Sequence, residues 1–124
     1  MVDLRTPAEI AEMRAAGRVV ASVLAAVKKE AAAGVSLREL DLVARDVLAA
    51  AGAVSLFDGY HPGFAGGPFT GVICTSVNDA VLHGLPSDLR LADGDLLNVD
   101  CGASVTAWIA ALSCNGKNPF GTAR

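Results

Sequence analysis

Two short stretches of this chain carry the same helix-starting grammar, and together they restrict it to folds that open with a helical pair. Thr6-Pro7-Ala8-Glu9 offers a hydroxyl at the N-cap, a proline at the first helical position and a carboxylate at the third. Ser36-Leu37-Arg38-Glu39 repeats the pattern. In such a capping box the hydroxyl and the carboxylate each satisfy a backbone amide that the first turn leaves without a partner. After the first box, Ile10, Met13, Gly17, Val20, Leu24 and Val27 recur at spacings of three and four, so one stripe of a helix is expected to face a core. Lys28 and Lys29 stand where cations suit the helix dipole, and Gly34 offers a left-handed stop, which gives a first helix over about 7–32. After the second box Leu40, Val43, Val47 and Leu48 form the stripe, and Gly52 ends it.

Beyond Ala53 the pattern changes. Val54–Phe57 reads as a short strand. Gly59–Gly71, with five glycines, two prolines and three aromatic residues, reads as a loop. Val72–Val77 is a strand, His83-Gly84-Leu85-Pro86 a turn, and Asp93-Gly94-Asp95 a corner that leads into a strand at Leu96–Val99. That strand is expected to continue past Gly102 to about Leu112, as a hairpin or with a bulge. Ser113–Arg124, rich in Asn-Gly, Asn-Pro and Phe-Gly pairs, reads as an irregular tail, so the domain is bounded at 1–112. Two helices followed by antiparallel strands argue an α+β fold.

A chain of 124 residues that is 52% apolar suits one modest domain with a real core. The formal charge of −3 has mixed signs and no Lys/Arg cluster, so nothing points to nucleic acid or an anionic membrane. Cys74, Cys101 and Cys114 are odd in number and lack metal-binding spacing, which fits reduced thiols in the cytoplasm. No signal peptide or membrane-span pattern stands in the sequence.

Three residues stand out for chemistry. His61 and His83 are the only histidines, and both lie in Gly/Pro-rich loops of the kind that carry function. A lone histidine is nevertheless more often structural. Asp100 ends the apolar run Leu96-Leu97-Asn98-Val99, where a half-buried carboxylate needs a partner or a metal, unless it caps the next turn.

Four blocks in series then carry a resemblance: Gly59-Tyr60-His61, Cys74-Thr75-Ser76-Val77-Asn78-Asp79, Val81-Leu82-His83-Gly84-Leu85-Pro86 and Asp93-Gly94-Asp95-Leu96-Leu97-Asn98-Val99-Asp100. With the helical front through Gly34-Val35-Ser36, they resemble the N-terminal half of type I methionine aminopeptidases of peptidase family M24 over residues 5–105. The resemblance implies half of a pita-bread (creatinase/aminopeptidase) fold, two long helices on an antiparallel sheet. It implies a hydrolase that uses a dinuclear centre of Co, Mn, Fe or Zn, held by two Asp, one His and two Glu, to remove Met from peptide or nascent-protein N-termini.

On this resemblance Asp100 corresponds to the first metal-binding Asp. His83 corresponds to the histidine beside the scissile amide, and Phe57, Tyr60 and Cys74 to the lining of the methionine pocket, where aromatic and sulfur surface suits a flexible, polarisable side chain. The second metal-binding Asp of the pattern falls on Ala111, and Cys101–Arg124 contains no Asp, Glu or His. The chain therefore reads as truncated relative to the family, without a complete catalytic set, not expected to hold a metal firmly and inactive alone. Two other readings remain open. One is a non-catalytic peptide- or protein-binding module of the same fold, and the other an enzyme completed by another chain. An exposed half-domain face is expected to favour self-association.

Overall fold

The computed structural model describes residues 3–117. Helix α1 spans Pro7–Glu30 and α2 spans Leu37–Ala50, followed by strands β1 (Val54–Ser55), β2 (Ile73–Val77), β3 (Leu96–Val105) and β4 (Trp108–Lys117). Both capping boxes form. The Glu9 carboxylate accepts the Thr6 amide at 2.7 Å and that of Glu39 accepts the Ser36 amide at 2.7 Å, while each N-cap hydroxyl accepts the amide of its glutamate. The strands form one antiparallel sheet. β3 is central: β1 and β2 share one of its edges and β4 takes the other.

The ladder gives the sheet two distinct faces. Leu97, Val99, Cys101 and Ala103 of β3, with Ile73 of β2, point to the helices and bury with Val20, Val23, Leu24 and Val27 of α1 and Leu37, Leu40, Ala44 and Leu48 of α2. Asn98, Asp100 and Gly102 alternate onto the opposite face. The expected stripe of α2 is realised with Leu40 and Leu48 buried and Val43 and Val47 half-buried.

Several expectations change: the first strand is only Val54–Ser55, and His83–Pro86 forms no turn. No residue of α1 before Ala16 is buried, and Ile10 and Met13 stay 40% and 38% exposed. At about 1.5 Å per residue α1 is some 36 Å long against roughly 21 Å for α2, so its first turns have too little packed against them to be covered. The helix also stops at Glu30 with Ala31 as an extended C-cap, and Gly34 takes its positive φ of 90° in the turn beyond. Finally, Val105 and Trp108 close a hairpin whose second strand runs through Lys117. Ser113–Lys117 are therefore strand, not an irregular tail, because the free edge of β3 supplies their hydrogen bonds. Asn118–Arg124 lie outside the described residues.

Candidate functional site

Asp100 sits in the middle of the sheet, opposite Cys74 on β2 and Ser113 on β4. Its face of the sheet forms the floor of a cleft of about 640 Å³, lined by Phe57, Tyr60, Phe64, Phe69, Cys74, His83 and Asp100 among others. The volume lies in the range of small-molecule sites, and the walls are mainly apolar with a few polar groups, as such sites require. Five of the six side chains singled out by the sequence, Phe57, Tyr60, Cys74, His83 and Asp100, therefore meet in one place. His61 is not among the lining residues; its Nε2 lies 3.1 Å from the Ala65 carbonyl within the loop.

Each wall has a local cause. Leu56 donates its amide to the Gly102 carbonyl at 3.0 Å, which lays the chain after β1 across β3. A Cβ on Gly102 would stand 3.1 Å from Leu56 Cδ1 and 3.2 Å from Phe57 Cε1, so the missing side chain lets Phe57 close on the sheet two residues from Asp100. Phe57 and Phe69 meet edge to face, with centroids 6.2 Å apart and planes at 80°.

His83 reaches the cleft through an unusual backbone, with φ of 59°. It is held there by its neighbour: Gly84 accepts the Thr75 amide at 2.8 Å and donates to Ser76 Oγ at 3.1 Å, so the chain runs close against β2. A Cβ on Gly84 would lie 2.1 Å from the Thr75 carbonyl oxygen.

One organising residue escapes a reading of the sequence. Asp41 looks like an ordinary helical acid, yet it is buried and its Oδ1 accepts the amides of Val72 at 2.7 Å and Ile73 at 3.2 Å, where β2 begins. Those partners are 31 and 32 residues away, and no local pattern announces them.

The electrostatics separate the polar groups by role. Burial, with the charge of Asp100 adding to it, pushes the Cys74 thiol up to about 11. Burial likewise drives Cys101 up to about 12, with Asp100 and then Cys74 contributing. Burial thus keeps both thiols protonated near neutral pH, and Cys74 lines the cleft with an uncharged, polarisable sulfur.

The donor set does not fit a dinuclear metal centre. Asp100, Cys74 and His83 are the metal-ligating residue types on the cleft wall, and among the described residues no three His, Cys, Asp or Glu side chains are grouped to hold an ion. Ala111, opposite Gly102, and Ser113, opposite Asp100, occupy the β4 positions on the same face. A methyl group cannot ligate, and divalent ions need several convergent donors.

Comparison with known proteins agrees with this architecture. The model of metallopeptidase family M24 matches residues 11–117. Methionine aminopeptidase 1 of Mycobacterium tuberculosis is 44% identical over 109 residues, 87% of this chain and 39% of that protein. Methionine aminopeptidase 1 of Bacillus subtilis is 38% identical over 108 residues, 87% of this chain and 41% of that protein. The crystal structure of methionine aminopeptidase from Thermotoga maritima superposes with a TM-score of 0.84 at 29% identity, over 94% of this chain and 45% of that one. The two helices on an antiparallel sheet are thus half of a pita-bread fold, and the chain spans 39–41% of the length of these curated relatives. By a match that takes in most of its residues, the chain belongs to metallopeptidase family M24.

Proposed function

We propose that this chain builds the substrate-binding half of a methionine aminopeptidase site and does not hydrolyse peptides by itself. The observation that carries the reading is the convergence of Phe57, Tyr60, Cys74, His83 and Asp100 on one cleft, beside a β4 that offers no second carboxylate. In this account Phe57, Tyr60 and Cys74 receive the unbranched thioether side chain of an N-terminal Met, for which aromatic and sulfur surface is well suited. His83 hydrogen-bonds the amide that follows that residue. Asp100 is the carboxylate this half contributes toward a divalent ion, Co, Mn, Fe or Zn.

Such an ion, when firmly held, polarises a carbonyl and lowers the pKa of bound water. With one carboxylate of the expected ligand set, no hydrolytic step is assigned to this chain alone. Its ligands are peptide or nascent-protein N-termini, met in the cytoplasm, where its thiols stay reduced. No helix among the described residues is long and apolar enough to cross a membrane.

A non-catalytic peptide-binding module is the second reading, favoured by the same contrast between a well-walled cleft and an incomplete acid set. Titration with L-methioninamide, followed by amide chemical shifts, tests the pocket that both readings share. Shifts concentrated at Tyr60, Phe69, Cys74 and Gly84, and absent with L-lysinamide, are expected. No shift, or equal shifts with both amides, would remove the methionine pocket from the account.

A further inference from the structure

One side chain outside the cleft holds both ends of the loop that forms its wall. Arg45 of α2 donates from Nη1 to Asp58 Oδ2 at 2.9 Å and from Nη2 to the Thr70 carbonyl at 3.1 Å, with a longer contact to Asp58 Oδ1 at 3.5 Å. Its Nε is bound to Asp41 Oδ2 at 2.8 Å. Asp41 is only 5% exposed, and its other oxygen anchors the start of β2 through the Val72 and Ile73 amides. The guanidinium is therefore braced on one side by a buried carboxylate and reaches two loop stems on the other.

The two stem residues matter because of what precedes them. Asp58 follows Phe57 and Thr70 follows Phe69, the edge-to-face pair in the cleft wall. The backbone closes the same stem through Gly59 N–H to Phe69 O and Phe69 N–H to Tyr60 O, each 2.8 Å. A planar fork with five N–H donors meets three acceptor groups at fixed angles at once. A lysine ammonium carries its donors at one point and does not span them.

The geometry points to Arg45 as a positioning residue that fixes the distance between Phe57 and Phe69, and with it the width of the cleft for an unbranched apolar side chain. This rests on the reading of the cleft as a methionine pocket and adds that α2, through Asp41 and Arg45, sets its dimensions. Asp58 is the loop-side half of the device.

The test compares the 124-residue chain with its Arg45→Lys, Asp58→Ala and Asp58→Asn variants, reading amide hydrogen exchange at Gly59 and Phe69 and affinity for L-methioninamide. In Arg45→Lys and Asp58→Ala, exchange at both amides is expected to quicken by about tenfold and affinity to weaken by about tenfold, as for loss of a charge-assisted hydrogen bond. Asp58→Asn keeps an acceptor oxygen and is expected to restore most of the protection, a rescue that a general loss of stability would not give. Should Arg45→Lys not fold, Asp58→Ala carries the test, because Asp58 lies outside the core with its side chain 45% exposed. Unchanged exchange in folded Asp58→Ala, or no recovery in Asp58→Asn, would overturn the proposal. If the unaltered chain takes up no L-methioninamide, the pocket reading fails, while the exchange comparison still decides the role of Arg45.

Discussion

Ala111 stands one diagonal step from Asp100 across the β3–β4 ladder, on the same face of the sheet, since Asp100 pairs with Ser113 and Gly102 pairs with Ala111. A carboxylate at this position would share the cleft floor with Asp100. Without a metal, Ala111→Asp therefore brings like charges onto one face; directly opposed cross-strand pairs are worth about 0.2–1 kcal/mol, and a diagonal pair, roughly 7–8 Å apart, falls at the low end of that range. The variant is expected to be less stable than the parent at neutral pH by roughly that amount, and Mn(II) or Co(II) should recover part of the loss. Urea unfolding with and without metal checks both. Equal midpoints for parent and variant at neutral pH would show that the two positions do not face one another.

Gly84→Ala should be among the most damaging single-atom additions in the chain. The new Cβ would lie 2.1 Å from the Thr75 carbonyl oxygen and 3.0 Å from its carbon, both backbone atoms that cannot swing aside. The expected cost is about 2–3 kcal/mol, with His83 displaced from the cleft. Thermal unfolding of the variant, with the His83 ring signals followed by NMR, measures both; a near-neutral change would mean that the segment is not held against β2 as described.

The capping carboxylates give the fold an acid dependence. The Ser36 amide, then the Ser36 hydroxyl, then Arg90 hold the Glu39 carboxyl below its ordinary value of 4.5. A group lowered by folding stabilises the folded state above its ordinary pKa, and the contribution disappears as pH falls through the lowered value. Glu39→Gln should thus be less stable than the parent at neutral pH, with the gap closing from about pH 5 downwards. Urea midpoints measured across that window check the sign; a gap that widens in acid contradicts it.

The open sheet face and the outer edge of β4 are expected to draw copies of the chain together. Leu96 and Ile109 remain 42% and 56% exposed on the face that carries Asp100. From Trp108 to Gly116, β4 has no charged residue and no proline to discourage a second strand. Light scattering should show mass rising with concentration, and Ile109→Lys should reduce it. A monodisperse monomer over a wide concentration range contradicts this.

Legibility in the sequence followed the range of the interactions. The capping boxes close over three residues, so Thr6–Glu9 and Ser36–Glu39 could be read directly and both form. The stripe of α1 was legible as a period, yet period alone does not say how far a partner extends, and Ile10 and Met13 stay half-exposed. Ser113–Lys117 looked irregular because Asn-Gly is a turn signal in isolation, whereas the β3 edge overrides it. Of the cleft residues, His83 and Asp100 stood out by their local setting, whereas Phe57, Tyr60 and Cys74 were legible only through family resemblance. The roles of Asp41 and Arg45 were illegible by either route, since the Val72 and Ile73 amides stand 31 and 32 residues from Asp41, and the Asp58 carboxylate and Thr70 carbonyl 13 and 25 residues from Arg45.

The central claim, that this chain can present a methionine pocket without performing hydrolysis, is met most directly by one assay. The purified 124-residue chain is given Co(II), Mn(II), Fe(II) or Zn(II) in turn, and release of Met from a Met-Ala-Ser peptide is followed. The account predicts no release above a metal-only blank, for the parent and equally for Ala111→Asp, because Asp100, even with a carboxylate at position 111, falls short of the several convergent donors that a divalent ion needs. Metal-dependent turnover that Asp100→Ala abolishes would contradict it.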